Sequence, residues 1–139
     1  MAVLTITPAS VKKSSSGQVS VKRIATGVTV TQGQALYQLA NTDVGLADAN
    51  GTSPANTFLG FALTAGASEQ PVVVLTGDAG GYAVGATLAI GPIYLSDTPG
   101  AVTQTLGDLA SGSALIQIGA ALTTTTANIT PVVGGTTTA

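Results

Sequence analysis

Apolar residues recur along this chain at every second position in short bursts, and each burst ends at Gly, Asn, Asp or Pro. A period of two places alternate side chains on opposite faces of an extended strand, whereas a helix needs a stripe at three- to four-residue spacing. No segment carries such a stripe with capping residues at its ends. The pattern predicts strands at 3–7, 19–24, 35–39, 44–47, 58–64, 72–76, 87–90, 93–95, 114–118, 120–123 and 129–133.

The punctuation between the bursts has its own chemistry. Asn50-Gly51 is read as a type I′ turn, because both residues tolerate positive φ. Thr98-Pro99-Gly100 fixes one φ and frees the next. Gly77-Asp78-Ala79-Gly80-Gly81 reads as a connection between strands. Ser14-Ser15-Ser16-Gly17 suits either a joint or a hairpin loop, and Gly134-Gly135-Thr136-Thr137-Thr138-Ala139 reads as a flexible tail.

Three short motifs recur in the same order in the two halves of the chain. Gly33-Gln34-Ala35-Leu36 resembles Gly85-Ala86-Thr87-Leu88, and Leu46-Ala47-Asp48 resembles Leu95-Ser96-Asp97. Gly60-Phe61-Ala62-Leu63-Thr64 resembles Gly119-Ala120-Ala121-Leu122-Thr123. Two related β units at about 33–76 and 85–133, packed as a compact β-sandwich or barrel, account for this order. The expected organisation is all-β: an extended N-terminal arm or first strands over 1–23, a β body over 24–133 and the tail over 134–139.

Composition sharpens the picture. The 139 residues suit one domain; 45% are hydrophobic and only 7% charged, where an average soluble domain carries about 25% charged residues. No run reaches the ~18 consecutive apolar residues of a membrane span, and no basic region precedes the first apolar residues as in a secretory signal. No membrane partner is expected, and synthesis in the cytoplasm is the default. All four cations, Lys12, Lys13, Lys22 and Arg23, precede residue 24, while the six acids run from Asp43 to Asp108. A basic start followed by an acidic body suits docking onto an acidic surface, and equally a solvated tail.

The chain offers little to catalysis. It has neither Cys nor His, so thiolate chemistry, disulfides, Ser-His dyads and zinc sites of the usual kind are ruled out. A Ser-Lys pair would have to use a lysine from the N-terminal segment. Asp48 and Asp97 read as turn caps rather than as a carboxylate pair, and Asp48-Ala49-Asn50-Gly51 lacks the sixth-position Gly and twelfth-position Glu of a helix-flanked calcium loop. The glycine-rich stretch lacks the Lys-Ser/Thr of a phosphate loop. With no cation after Arg23, specific nucleic-acid binding is not expected. Nor is an enzyme, a metal or a cofactor.

The run Ile93-Tyr94-Leu95-Ser96-Asp97-Thr98-Pro99-Gly100, followed by Gly119-Ala120-Ala121-Leu122-Thr123, resembles the head decoration, or cement, proteins of tailed bacteriophages. The resemblance covers about residues 33–133. It implies a β-rich homotrimer on the capsid exterior, made in the bacterial host cytoplasm, that binds the major capsid protein and clamps the shell without catalysis. The candidate capsid contacts are then Lys12, Lys13, Lys22 and Arg23. A phage fibre module for host or carbohydrate attachment is the alternative, and exposed aromatics on one face would favour a sugar-binding domain.

Overall fold

The computed structural model describes residues 4, 6–15, 17–51, 55–105, 109, 113–130 and 132–136. These residues form an all-β chain with one short 3-10 turn, Pro8–Ser10, and no α-helix among them. The strands are β1 (Gln18–Arg23), β2 (Ala35–Gln38), β3 (Val44–Leu46), β4 (Gly60–Ala62), β5 (Pro71–Ala83), β6 (Gly91–Leu95), β7 (Val102–Thr103), β8 (Ala114–Ala121), β9 (Thr126–Ile129) and β10 (Val132–Thr136).

All strand pairings are antiparallel, in the order β3-β2-β4-β5-β9-β8-β6-β7; β1 flanks β5 and β10 flanks β8. The sheet curls into a half-barrel. Backbone bonds across its open side tie the two ends together: Ala49 N–H to Ser96 O at 2.9 Å, Gly100 N–H to Ala47 O at 2.8 Å and Ala35 N–H to Gly100 O at 2.9 Å. The Ser96–Gly100 turn, which joins β6 to β7, thus serves the closure of the curl as well as its own hairpin.

Read outward from the centre, β5-β4-β2-β3 and β9-β8-β6-β7 are two four-stranded units of the same connectivity, meeting where β5 pairs β9. Only one of the three sequence matches is in register with this repeat. Gly60 lies opposite Leu36 of β2, and Gly119 lies opposite Ile93 of β6. A Cβ on Gly60 would sit 2.2 Å from the Leu75 carbonyl oxygen, and one on Gly119 would sit 2.1 Å from that of Asn128. Both positions need glycine for one reason, the close approach of the next strand. The other two matches fall on unlike positions: 35–38 is a strand and 87–90 is not, and Leu46 is in β3 while Leu95 is in β6.

Other expectations change in detail. The stretch 77–81 is not a connection but the middle of β5, where the register slips between Asp78 and Tyr82 and the strand passes from the first unit to the second. Gly81, at φ 92°, takes the backbone through a conformation that other residues avoid. Gly119 continues β8 instead of dividing it. Residues 87–90 form a loop that drops the Leu88 side chain into the core. Asn50 and Gly51 do not make a type I′ turn, since neither has positive φ. The Asp48 side chain accepts the Asn50 N–H at 3.0 Å and its carbonyl accepts the Gly51 N–H at 2.9 Å. The backbone of 134–136 belongs to β10, and 137–139 lie outside the described residues.

Two cores result. The larger fills the curl, with Leu75, Tyr82, Val84, Leu88, Ile93, Leu95, Ile116 and Ile118 among its members. At its centre Phe61 stacks on Tyr82 with centroids 5.1 Å apart, and Phe58 meets Phe61 edge-on at 5.2 Å. The smaller core lies on the other face of the first unit, where Ile24, Val28 and Val30 cover Leu36, Val44, Ala62, Val72 and Val74.

Candidate docking surface

The four sequence-selected cations share one ribbon. The described residues of 11–23 run antiparallel to β5: Lys12 bridges Ala83, and β1 pairs 18–23 with 71–77. The Lys12 bridge and the Gln18↔Gly77 pair keep one register, so the ribbon follows a single border of β5 through its kink.

Asp78 fixes the turn between these two stretches. Its buried carboxylate accepts the Ser14 N–H at 3.0 Å, the Ser14 hydroxyl at 2.5 Å and the Gly80 N–H at 3.0 Å. The serine-rich stretch is therefore a turn held against β5 in its described residues, not a free joint. Upstream, Thr7 N–H bonds Gly85 O at 2.8 Å, Leu4 N–H bonds Val102 O at 2.9 Å, and Val11 is buried in the large core. Of the segment expected to be an arm or first strands, 18–23 form a strand and the described part of 4–15 lies along the body; 1–3, 5 and 16 lie outside the described residues.

The cations are not equivalent. Arg23 is drawn into the fold: its guanidinium donates to the largely buried Asp43 at 2.9 Å and to Glu69. It ties the β2–β3 turn to the β4–β5 turn, its single positive charge shared between two carboxylates. Lys12 and Lys13 are exposed and Lys22 is half-buried; no ion pair forms on these three among the described residues. Sequence reasoning picked out the group but could not separate Arg23, because its partners lie 20 and 46 positions away.

Beside the lysines lies an apolar feature that charge reasoning missed. Val19 and Val21 are 47% and 69% exposed on β1, which has β5 on one side and no strand on the other among the described residues. The alternation of valines in 18–23 was the available signal. Of the five aromatics, Phe61 and Tyr82 are buried and Tyr37, Phe58 and Tyr94 are half-buried. Among the described residues there is no group of three or more potential metal ligands, and no helix is long and apolar enough to cross a membrane. No family model, curated protein or solved structure matches the chain.

Proposed function

We propose that this protein is a virion structural component that decorates the exterior of a phage capsid and stabilises the shell by binding. The observation that carries the reading is the gathering of Lys12, Lys13 and Lys22 on one ribbon at the border of a β body whose charges are few and all acidic. Such a body desolvates few charges when it meets other subunits, and its Thr, Ala and Gly side chains lose little entropy. In this reading the lysine ribbon faces an acidic patch of the major capsid protein, and copies of the body meet as a homotrimer.

The mechanism is linkage. A ligand that binds only the assembled shell stabilises it by about 2.7 kcal/mol per site at a hundredfold excess over Kd, and many sites multiply that small contribution. The test is twofold. Quantitative mass spectrometry of purified virions should give a copy number close to that of the major shell protein; a few copies per particle would point to a fibre. Capsids stripped of the protein should rupture at lower temperature, and adding it back should restore resistance. Equal heat resistance of stripped and decorated particles would end the cement reading.

A further inference from the structure

We infer that the outer edge of β1 is an acceptor for an extended segment of another polypeptide, one in which small apolar residues alternate with carboxylates. The edge's chemistry supports this whichever assembly the protein serves, so the inference stands apart from the capsid reading.

The hydrogen-bonding direction of each residue in β1 follows from its neighbours. Val73 turns both its main-chain groups towards β4 and its flank: its carbonyl accepts the Leu63 N–H at 2.8 Å, and its own N–H meets the Thr64 hydroxyl at 3.1 Å. Main-chain groups alternate in direction along a strand, so Val72 and Val74 address β1. Their partners there are Lys22 and Ser20. Ile24 continues the alternation, bonding Gln70 O at 2.9 Å and the Glu69 N–H at 3.0 Å. The N–H and C=O groups of Val19 and Val21 therefore point away from the sheet, while past them the parallel bridge of Ile24 with Val44 brings β3 alongside the chain.

Those outward groups belong to the residues whose valine side chains are exposed. An added strand would find hydrogen bonds and, on one face, an apolar row of Val19 and Val21. The borders at β3 and β7 are covered: Ala25 N–H bonds Val44 O on β3, and Leu4 N–H bonds Val102 O on β7.

Charge selects the occupant. Lys22 lies on the edge strand itself and Lys12 and Lys13 continue the same ribbon; of the three carboxylates near it, Asp43 and Glu69 are engaged by Arg23 and Asp78 by Ser14 and Gly80, and none forms an ion pair with a lysine among the described residues. A second copy of β1 would bring like-charged ribbons together, whereas a carboxylate-bearing strand would be drawn to them. Unpaired edges in soluble proteins are commonly blunted by charge, and here the charge is of one sign only.

Amide exchange and titration with a short capped peptide, valine alternating with aspartate or glutamate, test this on the isolated full-length protein. In the free protein, Val19 and Val21 amides should exchange much faster than those of Ser20 and Lys22. Adding the peptide should protect the fast set and leave the slow set unchanged; the lysine counterpart of the peptide should not bind. Val21→Pro removes only an outward N–H, so it should abolish binding and keep the thermal transition; Val21→Lys serves the same purpose should proline disturb the strand. Lys22→Glu should weaken binding about three- to tenfold at low salt and less at high salt. Slow exchange at Val21 in the free monomer, a concentration-dependent dimer that protects it, or equal binding of both peptides would each overturn the inference.

Discussion

The two four-stranded units share connectivity but not burial. In the first, both sheet faces are covered: Ala35, Phe61 and Leu75 face the curl, while Leu36, Ala62 and Val74 lie beneath Ile24 and Val30. Strand β4 is accordingly buried at all three positions. In the second, burial alternates along β9, and the outward residues Tyr94, Gln117 and Asn128 are only half-buried. The difference traces to the segments entering the two units. Residues 24–34 fold over the outer face of the first, whereas Val84 and Leu88 before β6 turn into the shared core. One connectivity can thus be stabilised by two layers or by one, depending on where the leading segment goes.

The sharpest way to break this comparison is at the glycines the units have in common. Gly60→Ala and Gly119→Ala both drive a methyl group into a backbone oxygen that cannot move without its strand. Each should cost about 4 kcal/mol or more, at the upper end of single substitutions. Because β5 runs through both units, chemical denaturation should still show one transition for each variant, shifted to lower denaturant. Two separate transitions would mean that the units unfold independently and that β5 does not couple them.

A smaller effect isolates the second layer. Leu36 is fully buried in the small core alone, so Leu36→Ala should cost about 3 kcal/mol through lost transfer energy and the cavity left behind. Ile118→Ala, in the shared core, should cost a similar amount. The two should differ in reach. By hydrogen exchange, Leu36→Ala should loosen 24–34 and β3 with little change in β8 and β9, whereas Ile118→Ala should raise exchange in both units. Uniform loosening by Leu36→Ala would show that the outer layer is not a separate source of stability.

Strand content was legible from period-two patterning, because it depends on local alternation. What patterning could not show was continuity. The glycines of 77–81 look like punctuation, yet they let β5 bend from one unit to the other while Asp78 secures the bend through Ser14, a partner 64 residues away. Gly119 likewise appears to end a strand, though it is required by Asn128 on the neighbouring one. Leu88 fitted a strand pattern and became a loop residue in the core, since β6 begins only at Gly91. For the docking surface, the cation cluster was visible, but the withdrawal of Arg23 and the bare edge of β1 depend on pairings between distant segments.

The smallest effect concerns the join between the units. Tyr82, on the second half of β5, stacks on Phe61 of the first unit, and its hydroxyl is buried without a hydrogen-bond partner among the described residues. An orphaned buried hydroxyl is a desolvation cost with nothing in return, so Tyr82→Phe keeps the stacking and relieves that cost. At neutral pH the variant should match or exceed the parent by no more than about 1 kcal/mol. The pH dependence separates this account from a merely tolerated substitution. Burial raises the Tyr82 phenol above its ordinary value, so the folded state holds this proton more tightly than the unfolded chain does. The corresponding stability is fully present below the unfolded value of about 10 and falls as pH rises above it, because the unfolded chain can then release the proton. The parent should therefore lose stability above about pH 10 more steeply than Tyr82→Phe, with both measured by denaturant midpoints across the alkaline range. Parallel alkaline profiles would show that the hydroxyl reaches solvent in solution, and the two units would then be less tightly joined at Tyr82 than the stacked rings imply.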